Sequence, residues 1–333
     1  MDEVAAETQG IEIPVVGVGA DFPWETLIAE EQRAHALLDA ATRRIPERAL
    51  QALDAVSRRW IASREFDYLA EIDRIAVRLG RPGAYFLSVN YEWGCTVRVC
   101  PSLDGGSARL VRVLDWRTPG LGANIIAANV RAAAGPFVTM TWPGYTGVLQ
   151  AVARGRFAAA LNQAPMRRPS GVYPLDWAVN AARVWRMPHP TPAHLLREVF
   201  ETAANFAEAR RMLIERPIAA PAIFALAGVK SDELAIIERT ETMASICSGD
   251  QVAANHWQTH GWRGRARGFD SGGRSCAMAS VTADLDPGFG WMKPPILNNK
   301  TRLAMQADAA TGKLVAQGYE AGSSATLPLQ LEI

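Results

Sequence analysis

Residues 93–116 read Trp-Gly-Cys-Thr-Val-Arg-Val-Cys-Pro-Ser-Leu-Asp-Gly-Gly-Ser-Ala-Arg-Leu-Val-Arg-Val-Leu-Asp-Trp. Two apolar, β-branched runs, 95–99 and 108–116, flank a turn built on Asp104-Gly105-Gly106. β-Branched side chains suit a pleated surface, and Asp-Gly supplies turn backbone, so the stretch predicts an antiparallel hairpin. Such a hairpin folds Arg112 and Asp115 back against Cys95.

Upstream of the hairpin the pattern is helical. Residues 1–20 read as an extended lead-in. A helix is predicted from Pro23 to about Arg44, carrying Leu27, Ile28, Leu37 and Leu38. After Pro46, which suits a first helical turn, Leu50, Leu53, Val56 and Trp60 recur at steps of three and four and predict one apolar face. Leu69, Ile72, Ile75 and Leu79 repeat the pattern until Gly80 ends it, and a further short helix is predicted over 82–93. These helices are expected to bury against a larger body; contact with a membrane surface is the less common alternative.

Downstream, FVTMTW (137–142) and FAAALN (157–162) read as strands, and helices follow at 174–186, 192–203 (capped by Thr191) and 205–215. Hairpins are predicted at 222–228 with 233–239 and at 301–308 with 313–319. The order of helices, strands, helices, strands predicts an α+β fold with two antiparallel sheets between helical layers.

Composition narrows the function classes. The chain has 333 residues, is 49% hydrophobic and carries a formal net charge of +1, which argues against a nucleic-acid partner. The charge is uneven: residues 1–94 hold 10 Arg and 16 Asp or Glu, whereas 95–333 hold 25 basic and 18 acidic residues. Opposite net charges favour two segments that stay associated. Four cysteines without a CxxC pair make neither a disulfide scaffold nor a zinc cluster. The N-terminus lacks a basic region followed by an apolar run, and no stretch reaches eighteen apolar residues, so a reducing cytoplasmic setting is expected.

The chemistry centres on Cys95. A free thiol titrates near 8.5 and is mostly protonated at neutral pH. An α-amine titrates at about 7.7–8, so a cysteine that becomes an N-terminus carries its own base. Gly94 leaves the preceding carbonyl open to attack, Arg112 would favour the thiolate, and Asp115 would hold the amine.

The chain resembles the acid ceramidase and N-acylethanolamine acid amidase group of the choloylglycine hydrolase superfamily, and is similar to its penicillin acyltransferase branch. The matching stretches are 68–92, Cys95-Thr96, Arg112-x-x-Asp115-Trp116, Pro143-Gly144-Tyr145-x-Gly147, Phe157 to Asn162, Ala254-Asn255-His256-Trp257, Asp270-Ser271-x-x-Arg274 and Asn298-Asn299-Lys300-Thr301. The resemblance implies a four-layer αββα N-terminal-nucleophile hydrolase preceded by helices, made as one chain and cut between Gly94 and Cys95 into residues 1–94 and 95–333. It implies Cys95 as nucleophile and base, Arg112 and Asp115 as controls on its protonation, Asn255 with backbone near Tyr145 as oxyanion hole, and Arg274 as an electrostatic brace. Trp116, Trp142, Tyr145, Asn162 and Gln163 are the expected substrate-binding residues. The implied partners are an acyl amide and the cleaved N-terminal segment, with no metal or organic cofactor. Gln163 stands where lysosomal relatives carry a glutamate that helps processing, Ala254 replaces a threonine, and the interval from Cys95 to Arg112 is one residue longer than is typical of the family.

The activity so implied is hydrolysis of a linear non-peptide amide, a fatty-acyl amide first. Alternatives are acyl transfer, cleavage of a β-lactam, bile-salt or acyl-homoserine-lactone amide, and an unprocessed relative that only binds an acyl ligand. Cys100, Cys247 and Cys276 read as structural, and His256-x-x-x-His260 lacks the glutamate of a zinc helix. The segment 117–135, with Pro119, Gly120 and Gly122, is a candidate lid.

Overall fold

The computed structural model describes residues 10–63, 68–88, 93–281 and 285–333. Strand β1 (Val15–Val18) leads into helices α1 (Phe22–Ala29), α2 (Glu31–Thr42), α3 (Glu47–Ala62), α4 (Leu69–Leu79) and α5 (Ala84–Ser88). Strands β2 (Trp93–Pro101), β3 (Ala108–Trp116), β4 (Ile126–Val130), β5 (Phe137–Thr141), β6 (Gln150–Ala153) and β7 (Phe157–Gln163) follow. Then come α6 (Tyr173–Arg186), α7 (Pro192–Thr202) and α8 (Phe206–Glu215), and β8 (Ala222–Ala227), β9 (Leu234–Arg239), β10 (Ala244–Ser248) and β11 (Gln251–Ala253). Helix α9 (Ser271–Ala279) precedes β12 (Thr301–Asp308), β13 (Lys313–Glu320), β14 (Ser323–Ser324) and β15 (Leu329–Glu332).

The strands form two sheets, one ordered β1-β4-β5-β6-β7-β8-β9-β10 and the other β11-β2-β3-β12-β13-β14, with β15 also on β13. β2 and β3 of the second sheet pack face to face on β7 and β8 of the first. Helices α7 and α8 cover the outer side of the larger sheet, and α9 covers that of the smaller. This is the αββα order. Alanines 158–160 of β7 and Ala225 and Ala227 of β8 are fully buried, and their small side chains let the sheets close over the nucleophile region.

The central hairpin forms as expected, β2 pairing antiparallel with β3 so that Cys95 lies opposite Leu114 and Gly94 opposite Asp115. Trp93 and Gly94 belong to the same strand as Cys95, so the intact chain runs straight through the expected cleavage point. The later hairpins, β8–β9 and β12–β13, also form.

Several elements differ from the expectation. The single helix from Pro23 to Arg44 is two, broken at Glu30, whose φ of −129° leaves the helical region. The lead-in contains β1, which pairs parallel with β4; a four-residue strand carries too little periodicity to read. Helix 82–93 is only Ala84–Ser88, residues 89–92 lie outside the described part, and Trp93 is strand. On α3, Leu53 and Val56 face solvent while Asp54 and Ser57 are buried. The Asp54 carboxylate accepts from Gly83 N and Phe86 N, each at 2.8 Å, which satisfies the start of α5 and sets the buried face. The candidate lid 117–135 contains β4, and Gly122 packs so tightly on Tyr319 that a Cβ there would sit 2.0 Å from its carbonyl oxygen; this segment is braced.

The helices of the N-terminal segment dock on the body. Arg197 of α7, nearly buried, pairs with Glu71 of α4 at 2.6 Å and lies over the rings of Phe22 and Tyr68. Among the described residues no helix is long and apolar enough to cross a membrane.

Candidate active site

Strand alternation decides which groups meet. On β2 and β3, Cys95 and Arg112 point to the larger sheet, and Asp115 points to the opposite face, toward α9. Arg112 donates from Nη2 to Cys95 Sγ at 3.1 Å and from Nη1 to Asn162 Oδ1 at 2.9 Å. Asn162 in turn donates to the carbonyls of Ala253 and Ala254. Arg112 and Cys95 are fully buried.

On the other face Arg274 is the hub. It donates from Nη1 to Cys95 O and to Thr96 Oγ1, each at 2.7 Å, and from Nη2 to Asn255 Oδ1 at 3.0 Å. Its guanidinium lies 3.5 Å from Asp115 Oδ2. Asp115 also accepts from Asn298 Nδ2 and Thr301 Oγ1. The helix that carries Arg274 has two glycines in its first turn, and the side chain of Asp270 caps it by accepting from Gly273 N.

The Cys95 backbone N–H donates to Asn255 Oδ1 at 2.7 Å. The direct partner of that nitrogen is therefore Asn255; Asp115 reaches it through Arg274. Asn255 Nδ2 donates one of its two N–H groups to Gln163 O. Asn255 N donates to Ser271 Oγ, which also meets His256 Nδ1 at 2.8 Å. Gly94 is tight: a Cβ there would lie 3.2 Å from Gly268 Cα, and a Cβ on Gly268 would lie 2.7 Å from Arg274 Nη2.

Burial sets the protonation. Desolvation pushes the Cys95 thiol up to about 11, against the pull of Arg112 and Arg274. At neutral pH the thiol is then protonated in the intact chain. Burial also raises the Asp115 carboxyl, opposed first by Arg274, and lowers the Arg112 guanidinium.

Two cavities flank these residues. An apolar cleft of about 80 Å³ lies between α2, α4 and α5 on one side and Trp116, Leu121, Trp142 and Tyr145 on the other. Rings of Trp93, Trp116, Trp142 and Tyr145 follow one another at 5.0, 5.7 and 6.2 Å between centroids. A second cavity of about 120 Å³ includes Gly94, Asp115 and Gln163.

The expected residues Cys95, Arg112, Asp115, Asn255 and Arg274 thus lie in one connected cluster, and Trp116, Trp142 and Tyr145 line one cleft. Asn162 lines neither cavity; it holds Arg112. Gln163 faces the second cavity, where its Oε1 accepts from Trp93 N at 3.2 Å. Sequence reading quotes His256 and Ser271 within the matching stretches without giving them a role, and misses Gly268, Arg265 and Arg267, although the run Arg263-Gly264-Arg265-Ala266-Arg267-Gly268 is a visible signal. Among the described residues no three His, Cys, Asp or Glu side chains group as a metal ion would require.

The architecture is the αββα sandwich of the N-terminal-nucleophile hydrolases. No protein-family model and no curated protein matches the sequence. Among solved structures, the chain is similar to the Caenorhabditis elegans ortholog of N-acylethanolamine-hydrolyzing acid amidase, with 21% identity over 64% of this chain and 92% of that one, at a TM-score of 0.50. A mutant and a variant of the conjugated bile acid hydrolase from Clostridium perfringens align over 72% of this chain and 92% of theirs, with 11% and 9% identity and TM-scores of 0.40 and 0.39. What the first of these shares with the chain is the fold; the two lower scores add nothing to it.

Proposed function

We propose that the chain cuts itself between Gly94 and Cys95, and that Cys95 then hydrolyses a linear non-peptide amide with an apolar acyl half. The observation that carries this reading is that one residue has both reactive atoms held by side chains: Sγ by Arg112 at 3.1 Å and N by Asn255 at 2.7 Å.

In self-cleavage Sγ adds to the Gly94 carbonyl carbon, the C–N bond to Cys95 breaks, and the nitrogen takes the thiol proton. Water then hydrolyses the thioester, leaving a Gly94 carboxylate and a free Cys95 amine. In turnover that amine takes the thiol proton, the thiolate attacks the amide, and the ammonium returns a proton to the leaving amine. Water releases the acid. Arg112 stabilises the thiolate, and Arg274 and Asp115 hold the strand. Asn255 Nδ2 serves the oxyanion by exchanging Gln163 O for the substrate oxygen, a donor of a kind whose loss costs about 2.7–4 kcal/mol.

The aromatic row and the cleft behind it suit the acyl half. At about 80 Å³ the cleft is far below the roughly 300–1,000 Å³ of a ligand pocket, so the helices must move apart to admit a chain. An N-acyl amide is favoured by the activity named for the amidase of the same fold. The free thiols fit a reducing, cytoplasmic setting. Wild type incubated with an N-lauroyl amide and quenched in acid should carry a lauroyl thioester on the 95–333 piece, and Cys95→Ala should carry none; acyl release without any adduct on that piece contradicts the reading.

A second reading, an uncleaved acyl-binding protein, is favoured by the complete burial of Cys95 and its raised thiol. An intact chain that binds lauric acid but never splits supports it.

A further inference from the structure

The backbone N–H of Asn255 goes to a side chain: it donates to Ser271 Oγ at 2.8 Å, and the same oxygen lies 2.8 Å from His256 Nδ1. We infer that His256 is a positioning residue, which fixes Asn255 through Ser271 and makes that grip depend on the charge of the imidazole. This rests on the amidase reading, in which Asn255 holds the Cys95 nitrogen and serves the oxyanion.

The count of protons decides the direction of each bond. A hydroxyl has one proton and two lone pairs. Asn255 N–H takes a lone pair, so the Ser271 proton is left for an acceptor. Among the described residues the one other hydrogen-bond partner of Ser271 Oγ is His256 Nδ1. Nδ1 therefore accepts, and the neutral ring carries its proton on Nε2. A hydroxyl that donates is in turn a better acceptor, because chained hydrogen bonds polarise one another. The opposite tautomer would set two donors on Oγ and leave the Ser271 proton without an acceptor.

Both ends of this relay are anchored. Ser271 is buried and opens α9, directly after the Asp270 cap. Asn255 is fully buried, and its carbonyl accepts from Arg267 N at 3.1 Å. Beyond His256 the chain is tied to β9, where the buried Glu238 carboxylate accepts from Gln258 N at 2.8 Å and Thr259 N at 2.9 Å. The half-buried imidazole is thus held between two fixed points, at the border of an open hollow lined also by Arg168, Trp257, Trp262 and Arg263.

The charged groups around the ring are Glu238 from β9, Arg274 from α9, and Arg168 and Arg263 beside the hollow. Burial lowers the His256 pKa first of all, with Glu238 opposing and Arg274 adding to it. The ring is then neutral at neutral pH, and the relay is intact. On acidification Nδ1 gains a proton and turns from acceptor to donor. Ser271 Oγ must then serve two donors, and its bond to Asn255 N weakens.

The first test needs no turnover and uses the uncleaved Cys95→Ala chain with nitrogen-15 histidine, the His256 signal being assigned by its loss in the further variant His256→Asn. At pH 8 the ring should carry its proton on Nε2. As pH falls, the Asn255 backbone amide proton should shift with the same midpoint as the ring, below the ordinary value of about 6.5, and stay still in His256→Asn. A neutral ring protonated on Nδ1, or an Asn255 amide that ignores the ring, overturns the relay. The second test is hydrolysis of an N-lauroyl amide at pH 8 by chains that are wild type at Cys95. His256→Leu should lower kcat about tenfold with KM little changed, the worth of one hydrogen bond to the oxyanion residue. His256→Asn, which offers an oxygen where Nδ1 stood, should recover most of that loss. Equal losses in the two variants, or a wild-type kcat in His256→Leu with its fold checked by circular dichroism, overturn the positioning role. No turnover by wild type removes the amidase, while the tautomer and the amide titration still decide the relay.

Discussion

The two faces of the β2–β3 hairpin hold the same kinds of group in opposite conditions. On the face toward the larger sheet, Arg112 is fully buried with a thiol and an amide oxygen as partners and, among the described residues, no carboxylate within ion-pair distance. On the face toward α9, Arg274 is as deeply buried but meets a carboxylate, three backbone carbonyls and two side-chain oxygens. A buried cation that lacks a counter-charge costs stability, and one that completes a network supplies it. The first arrangement is what a nucleophile needs; the second keeps the strand in place around it.

The largest effect should come from Arg274→Leu. It leaves Asp115 buried and short of its cation, which costs about 3–5 kcal/mol. A urea midpoint within experimental error of wild type breaks the contrast. Arg112→Met should behave oppositely: stability within about 1 kcal/mol of wild type, because an uncompensated buried charge is removed, but self-cleavage roughly a hundredfold slower. Equal losses of stability in the two variants would mean that the faces do not differ. A smaller effect, about 1 kcal/mol, is expected for Ser271→Ala, which removes the acceptor of Asn255 N without touching either arginine.

The smallest effect is one of reactivity. In the uncleaved chain iodoacetamide should label exposed Cys276 well before buried Cys95 at pH 7. Burial raises the Cys95 thiol, so its thiolate fraction, and its labelling by peptide mass, should climb with pH until about 11. Faster labelling of Cys95 than of Cys276 at neutral pH contradicts a sealed thiol.

The contrast was half legible in the sequence. The hairpin was, because Val97, Val99, Val111 and Val113 alternate around an Asp-Gly-Gly turn. The cluster of Cys95, Arg112, Asp115, Asn255 and Arg274 was named from resemblance. That Arg112 and Asp115 face opposite ways follows from a separation of three in a strand, yet, Cys95 apart, the partners of each lie 50 to 186 residues away and no local pattern announces them. The face of α3 was misread because a carboxylate at Asp54 is buried to cap another helix, which hydrophobic periodicity does not score. Helix α9 was missed because Ser-Gly-Gly-Arg has poor helix propensity, and the cap at Asp270 and the bonds made by Arg274 override it.

The central claim is that Cys95 cuts the bond before it. Intact mass under denaturing conditions, on wild type and Cys95→Ala held for a day at pH 5 and at pH 7, tests it most directly. The account predicts pieces of residues 1–94 and 95–333 from wild type at both pH values, because Gln163 has no carboxyl to titrate beside Trp93 N, and an unbroken Cys95→Ala chain. A wild-type chain that stays whole at both, or a Cys95→Ala chain that still splits after Gly94, contradicts it.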